Sequence, residues 1–426
     1  MRPQIVSSQR RSRPVHVVKA QRRLKRAARS TIMAGFHRSM NSPIGRLPTP
    51  PHPLPPLAVP MISTARCPHL SFIAISLIAT LAASPVITAA EPTPQVDAKA
   101  KNTEIKKRFE ISVRASTIDP RVRAYPEIDF LIDDAKGKPA DMQQAWFDPN
   151  VPARGRVVIW LMAHNSALFE RLTGYGLHAV RVHYANRWFS KCCQEKPVDP
   201  ECRGNLRLEA ATGLDASDAV AIAKPDAMAE RAYRFIKWLA DQNAEGNWGQ
   251  FLNADGTDLD WEKVIVAGSS HGSTTASRFA KHQKLARVVA LCGPRDQHQS
   301  WQSLPSATPP NRYFAFSHVL DQGWVEDHYC RSWEMLGLNN YGPIVNVDQS
   351  EPPYSNTRRL VTDADVGGNP GRAHSAVQPG RSAVKDPATG LLRHEPVWEY
   401  LFTHPVDQVG SAVPRDPLCD HEQASN

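Results

Sequence analysis

The first ninety residues contain no aspartate or glutamate, although the whole chain of 426 residues has 42 acidic residues. The same segment holds 13 of the 51 lysines and arginines, so the formal net charge of +9 belongs to the amino-terminal part of the chain. Residues 91–426 are left with 38 basic residues against 42 acidic ones. A basic total confined in this way gives no reason to expect a nucleic-acid partner for the folded part.

The chain also has no apolar run that reaches the length of about 20 residues that a membrane span needs. An uncharged apolar run, LSFIAISLIATLAAS at positions 70–84, is preceded by a basic residue and followed by small residues. This pattern predicts a secretory signal peptide over residues 61–90, beginning at Met61, and the alternative is an uncleaved anchor. Residues 1–60, rich in Arg and Pro, are then either a disordered basic leader or an extension from a mis-assigned start codon. We expect a secreted or periplasmic protein with no stable membrane span once the signal is removed.

Cysteine is scarce, with seven residues in the chain, and no CxxC pair or His and Cys spacing indicates a zinc site. Six of the seven follow the predicted signal, and an even number in an exported chain is typical of disulfides. Cys192 or Cys193 with Cys202 closes the shortest loop, and Cys330 with Cys419 would fix the tail. The remaining one, Cys292, ends an apolar segment and is either a disulfide partner or a buried thiol. We expect no metal and no cofactor.

Apolar, β-branched segments alternate with amphipathic segments from residue 156 onward. The predicted strands are RVVIWLM (156–162), LHAVRVHY (177–184), WEKVIVAG (261–268), ARVVALC (286–292), RYFAFS (312–317) and TRRLVT (357–362). The predicted helices are DAMAERAYRFIKWLADQ (226–242), TTASRFAKHQ (274–283) and HEPVWEYLFTHP (394–405). Such runs are typical of strands buried on both faces, so the alternation predicts an α/β fold with a doubly wound, mostly parallel sheet. Residues 91–125 either wander or form an edge element, and residues 185–225, with three cysteines and no clear period, are interpreted as an insertion.

One motif carries chemistry: Gly268-Ser269-Ser270-His271-Gly272 matches G-x-S-x-G between a predicted strand and a predicted helix. A serine on so tight a turn needs small neighbours, which Gly268 and Gly272 supply, and the turn presents its hydroxyl at the carboxyl end of the sheet. The amino terminus of the following helix favours the negative charge that develops when the hydroxyl attacks a carbonyl. Ser270 is therefore the candidate nucleophile, since Ser269 lacks the right flanks. The alternative interpretation is a glycine-rich turn without a catalytic role.

On this motif and the order of elements around it, residues from about 156 to 404 resemble the α/β-hydrolase superfamily. The resemblance implies a nucleophile, an acid and a histidine in that chain order. His374 is the expected base, because it lies in the segment GNPGRAHSAVQPG, interpreted as a loop, after the strand TRRLVT. His394 and His404, near the last helix, are its rivals.

The resemblance also implies a carboxylate that orients the base. Asp321 follows the predicted strand RYFAFS and is the favoured acid. Asp296, after the preceding strand, is the alternative, and Asp327 and Asp363 are weaker candidates.

An oxyanion hole is implied as well. One donor is the backbone N–H of His271, whose side chain points elsewhere. The second is expected in the loop after RVVIWLM, where Ala163-His164-Asn165-Ser166 stands in place of the His-Gly pair of many members. We expect the backbone N–H of Asn165 to be that donor, and the alternative role of Asn165 is that of a helix cap.

The sequence thus predicts that residues 91–426 form an α/β-hydrolase domain with an insertion near 185–225. The expected activity is that of a serine esterase or lipase-like enzyme, which cleaves carboxylic esters through an acyl-enzyme on Ser270. Expected substrates are small-molecule, lipid or polymer esters. The alternatives are a serine peptidase on the same fold and a secreted binding protein of this fold without catalysis.

Overall fold

The apolar strand segments assemble into one twisted sheet. The computed structural model describes residues 105–194, 197–296, 298, 300–325, 328–414, 416 and 419. The strands within that part of the chain are β1 (Phe109–Arg114), β2 (Met142–Phe147), β3 (Val157–Trp160), β4 (His178–Arg181), β5 (Val264–Ser269), β6 (Arg287–Leu291), β7 (Tyr313–His318), β8 (Ile344–Asn346) and β9 (Arg359–Thr362). Their order across the sheet is β1-β2-β4-β3-β5-β6-β7-β9-β8.

Helices flank this sheet. The α-helices of the described residues are α1 (Ala115–Ile118), α2 (Ser166–Gly174), α3 (Cys202–Thr212), α4 (Met228–Gln242), α5 (His271–His282), α6 (Gln322–Val325), α7 (His328–Met335), α8 (Pro370–Ala376) and α9 (Glu395–Thr403). Helix α4 buries the apolar stripe that its sequence predicts, with Phe235, Ile236 and Leu239 fully covered. None of the helices in the described ranges combines the length and the hydropathy that crossing a membrane takes.

The sheet is mostly parallel, as the sequence predicts. The pairs β1–β2 and β2–β4 are antiparallel, and every other neighbouring pair is parallel. Strands β3, β5, β6 and β7 are buried along their whole length, which fits their continuous apolar sequences. Since the carboxyl ends of parallel strands meet at one edge, the segments that follow β5, β6, β7 and β9 lie together there.

Two parts of the chain form elements that their sequences hide. Strand β1 lies in the polar segment 91–125 and pairs with β2 at one end of the sheet, so residues 109–114 of this segment form an edge strand. Helix α3 lies in the segment 185–225. Its sequence shows no clear helical pattern of apolar residues because the charged residues Arg207 and Glu209 are also buried. The Glu209 carboxylate accepts hydrogen bonds from backbone N–H groups of the segment after the helix, among them that of Ile222 at 2.7 Å.

Four cysteines form two disulfides. Cys192 pairs with Cys202, with 5.6 Å between their Cα atoms, and Cys330 pairs with Cys419, with 5.3 Å between theirs. Cys292 is a free, buried thiol. The two pairings are among those that the sequence favoured, and disulfides of this kind are typical of oxidising compartments. The expected leader (1–60) and signal peptide (61–90) lie outside the described residues.

Candidate active site

Ser270 occupies a backbone conformation that few side-chain-bearing residues adopt. It lies between β5 and α5 with φ 52° and ψ −119°, so it is held on a sharp strand-to-helix bend. Its backbone N–H donates to the carbonyl oxygen of Leu291 at 3.0 Å, which fixes the bend against the end of β6. Ser270 is partly exposed, whereas the neighbouring Ser269 is buried. A strained residue held in place by its surroundings is typical of a functional site.

The two glycines of the motif leave no room for a side chain. A Cβ atom on Gly268 would lie 2.4 Å from the carbonyl carbon of Gly272, and one on Gly272 would lie 2.9 Å from the carbonyl oxygen of Leu161. The obstacles are backbone atoms, which cannot turn away as a flexible side chain would. The bend therefore requires glycine at both positions.

His374 and Asp321 form a hydrogen-bonded pair at the same edge of the sheet. The ring Nδ1 of His374 donates to Oδ2 of Asp321 at 2.6 Å. Asp321 comes three residues after β7 and is 1% exposed, while the His374 side chain keeps 34% of its surface in contact with solvent. The histidine lies in the short helix α8 and not in a loop, because Asn369 caps the helix and Pro370 occupies its first turn. The carboxylate thus fixes the tautomer of a ring whose other face is open.

Both members of the pair have shifted pKa values. The hydrogen bond to Asp321 and then the contact with the Cys292 sulfur raise the pKa of His374 to about 10. Burial alone would raise the pKa of Asp321, but the bond to His374 and the backbone N–H of Gly323 outweigh burial and leave that pKa below its usual value. The carboxylate of Asp321 stays ionised as a result, and it favours a protonated imidazole.

Two further residues complete this cluster, and no sequence motif pointed to either. The hydroxyl of Tyr329, which is fully buried in α7, donates to Oδ2 of Asp321 at 2.9 Å. The sulfur of Cys292, in the residue that follows β6, and the nearest donor atoms of Asp321 and His374 all lie within 4.8 Å of one another. Cys292 is 1% exposed and has a positive φ of 41°. Between described residues, no hydrogen bond joins the Ser270 hydroxyl to the His374 ring.

The alternative acid, Asp296, has a different partner. Its two carboxylate oxygens accept from Arg207, with Nε to Oδ2 at 2.9 Å and Nη2 to Oδ1 at 2.7 Å, and both side chains are fully covered. The remaining nitrogen of Arg207 donates to the backbone oxygen of His271 at 3.0 Å and to Thr275 at 3.0 Å. Trp301 also donates to Asp296, at 3.1 Å. This ion pair joins α3 to the segment after β6, and the remaining nitrogen of Arg207 joins α3 to the first turn of α5.

The rival histidines lie away from the cluster. His394 is buried and contacts the Thr362 hydroxyl at 3.0 Å, and His404 contacts the backbone oxygen of Gln408 at 3.2 Å. Among the weaker acids, Asp363 is exposed, and Asp327 lies outside the described residues.

The two expected oxyanion donors, the backbone N–H groups of His271 and Asn165, each lie at the amino-terminal end of a helix. The His271 amide is at the first residue of α5, where helix N–H groups have no partner inside the helix. Burial and then Arg207 lower the pKa of the His271 ring to about 3, and its Nδ1 accepts from Arg207 at 3.1 Å, so the ring is neutral and turned toward α3. The Asn165 side chain caps α2 by accepting from the N–H of Leu168 at 3.0 Å. Met162, which comes shortly after β3, lies beside the turn Gly268-Ser269-Ser270-His271-Gly272 (the elbow), since its side chain is 3.0 Å from where a Cβ of Gly272 would lie.

A groove of about 1370 Å³ runs beside the elbow. Ser269 and Ser375, the sequence neighbours of Ser270 and His374, are part of its wall. The same groove is lined by apolar side chains such as Leu391 and by cationic ones such as Arg381. It is wide enough for an organic molecule.

The sheet order, the strained serine after β5, and an acid and a histidine that follow β7 and β9 are the arrangement of the α/β-hydrolase fold. The chain therefore has that fold, as its sequence predicts.

No protein-family model and no curated protein sequence matches the chain. Among solved structures it is similar to an α/β serine hydrolase homologue from Coxiella burnetii, with 15% identity over 53% of this chain and 82% of that one and a TM-score of 0.27. It is also similar to a thermostable esterase from Pseudomonas putida, with 13% identity over 64% of this chain and 81% of that one and a TM-score of 0.26.

Proposed function

We propose that this chain is an exported serine hydrolase that cleaves carboxylic esters through an acyl-enzyme on Ser270. The observation that supports the proposal most directly is the strained conformation of Ser270, at the sheet edge where His374 and Asp321 form a pair 2.6 Å apart. A strained, partly exposed serine at the same sheet edge as an oriented imidazole has the parts that acyl transfer needs.

In this mechanism the Ser270 hydroxyl attacks the ester carbonyl and passes its proton to the ring of His374. Asp321 holds that ring in one tautomer and stabilises the imidazolium, and His374 then gives the proton to the departing alcohol. Backbone N–H groups of His271 and of the loop after β3 hold the negative oxygen. We keep the backbone N–H of Asn165 as a candidate for the second group. Because Met162 lies beside Gly272, the backbone N–H groups of the residues before Asn165 are further candidates. Water, activated by His374, releases the acid.

The ring of His374 must be neutral to accept the serine proton. Because the pKa of His374 is raised to about 10, the neutral form grows as pH rises toward that value. Activity should therefore rise from neutral to alkaline pH. The hydrogen bond between Ser270 and His374 is expected to form when substrate is bound, since such bonds are often long in unliganded enzymes.

Cys292 is a second nucleophilic atom near His374, but its surroundings favour Ser270. The thiol is 1% exposed, so an ester carbonyl has no path to it. The chain after Cys292 continues as Gly293-Pro294 and not as a helix, so Cys292 lacks the adjoining helix amino terminus that follows Ser270.

The test is turnover of a chain-length series of nitrophenyl esters, measured from neutral pH to about pH 10, where about half of the base is deprotonated. Ser270→Ala and His374→Ala should each lower kcat by at least about 10⁴-fold, because the nucleophile and its base act as a unit. A fluorophosphonate probe should label the wild type and leave Ser270→Ala unlabelled.

Ser269→Ala is the matched control, since it changes the adjacent, buried hydroxyl of the same turn and should keep its turnover. Labelling lost in Ser269→Ala, or retained in Ser270→Ala, would assign the nucleophile elsewhere. A folded wild type that neither turns over esters nor reacts with the probe would favour a non-catalytic binding protein. Cleavage of peptides in preference to esters would favour a serine peptidase.

A further inference from the structure

The site contains one group that the proposed reaction does not use. The Cys292 thiol is fully buried, belongs to neither disulfide, and lies against His374 and Asp321. Sulfur, imidazole nitrogen and carboxylate oxygen thus converge on one point from three different segments of the chain. Donor atoms within 4.8 Å of one another are close enough to share a single cation after small movements.

The kind of donors decides which cation fits. Thiolate and imidazole favour Zn²⁺ and Cd²⁺ over Mg²⁺ and Ca²⁺, which prefer oxygen ligands alone. Bonds of about 2.0 to 2.3 Å at tetrahedral angles place zinc ligands roughly 3 to 4 Å apart. The 2.6 Å between His374 and Asp321 is shorter than that because the two groups share a proton, and this distance widens when a cation replaces the proton.

Burial makes the cluster a confined site that is open to solvent on the imidazole side. Asp321 and Cys292 are each 1% exposed, whereas the His374 side chain is 34% exposed. A cation enters from the imidazole side and meets the two covered donors below it. The Tyr329 hydroxyl, which donates to Asp321 at 2.9 Å, supports the carboxylate from behind, as an outer-shell partner does at metal sites.

We propose that Cys292, His374 and Asp321 bind a thiophilic divalent cation such as Zn²⁺ or Cd²⁺, and that the bound cation switches the hydrolase off. Coordination removes His374 from proton transfer, because the cation occupies the ring or displaces the carboxylate that orients it. The binding stands on the geometry of the three donors, and only the inhibition rests on the proposed function.

The binding test uses the full chain and Cd²⁺, whose bond to a thiolate gives an ultraviolet charge-transfer absorption. The wild type should develop this band, and Cys292→Ser should lack it. The sequence also contains Cys67 and Cys193, so Cys67→Ser and Cys193→Ser are the matched controls and should keep the band. His374→Ala keeps the thiol but loses a ligand, and should bind Cd²⁺ about tenfold or more weakly.

The inhibition test compares each variant with itself, with and without Zn²⁺, and adds a chelator afterwards. The Zn²⁺ concentration for half inhibition should rise about tenfold or more in Cys292→Ser, and the chelator should restore the wild type. A wild type without the Cd²⁺ band, or a band that survives in Cys292→Ser, overturns the site. If the wild type shows the band but hydrolyses no ester, the metal site stands and the proposed function fails.

Discussion

Two buried aspartates at the carboxyl edge of the sheet have opposite surroundings. Asp321 and Asp296 are 1% and 2% exposed, and each follows an apolar strand. Asp321 contacts the partly exposed ring of His374, whereas Asp296 contacts the fully buried guanidinium of Arg207. At the scale of the single residue, the partner decides whether a carboxylate fixes an imidazole ring or joins a helix to a loop.

We predict that Asp321→Asn lowers kcat by about 10³- to 10⁴-fold while the protein stays folded, because the amide no longer stabilises the imidazolium of His374. The measurement is ester turnover per folded molecule, with folding checked by circular dichroism.

Asp296→Asn should have the reverse phenotype. It leaves the charge of Arg207 buried without its partner, which costs about 3 to 5 kcal/mol of unfolding free energy in such pairs. Turnover per folded molecule should stay within a fewfold of the wild type. Loss of turnover in a stable Asp296→Asn protein would make Asp296 the acid instead.

At the scale of elements, the strand–turn–helix unit from β5 to α5 depends on glycine. We predict that Gly268→Ala destabilises the protein by about 1 to 3 kcal/mol or more, since its methyl group would lie 2.4 Å from the backbone of Gly272. Urea unfolding followed by fluorescence measures this loss.

Gly174→Ala is the matched control, because a Cβ at this last residue of α2 meets nothing within 4 Å. The change should be neutral or stabilise the protein by up to about 1 kcal/mol. Equal losses in the two variants would mean that the elbow is no tighter than an ordinary glycine position.

Elements whose residues are uniformly apolar were predictable from the sequence, and others were not. Strand β7 lies within one residue of its predicted bounds because it is buried on both faces. Strand β5 ends one residue beyond its predicted end but begins three residues later than predicted, since Trp261–Lys263 form a short 3-10 helix before it. Strand β8, with only three residues, has too few for a pattern, and α8 was interpreted as a loop because only its cap and proline indicate a helix. The G-x-S-x-G motif could be recognised in the sequence because the turn itself requires glycine at Gly268 and Gly272. The contact of Cys292 and Tyr329 with Asp321 depends on the long-range packing of β6 and α7, which local pattern does not report.

At the scale of the whole molecule, buried neutral histidines make the fold sensitive to acid. His183 is 8% exposed, and burial followed by the charges of Arg231 and Arg181 lowers its pKa to about 3. Its ring stacks on Phe130 with centroids 4.2 Å apart. Burial lowers the pKa of His178 in the same direction.

We predict that the free energy of unfolding falls as pH drops from about 6.5 toward 3. In this pH window His183 is protonated in the unfolded chain but stays neutral in the folded protein. Each such histidine therefore makes the free energy of unfolding change by up to about 1.4 kcal/mol per pH unit. Urea unfolding at several pH values measures the slope.

His183→Gln should make that slope shallower, since glutamine fills similar space without titrating. His282→Gln, at an exposed position at the end of α5, is the control and should leave the slope unchanged. Identical slopes in the wild type and in His183→Gln would remove His183 from the acid response.

The buried bond between Arg207 and Asp296 has a consequence for the history of this chain. Helix α3 belongs to the segment 185–225, and its Arg207 guanidinium forms an ion pair with a carboxylate in the loop after β6. A relative that exchanges or trims the segment without also changing position 296 leaves one buried charge without its partner. We therefore expect the two positions to co-evolve, and transplants of this segment between homologues to succeed only when both travel together.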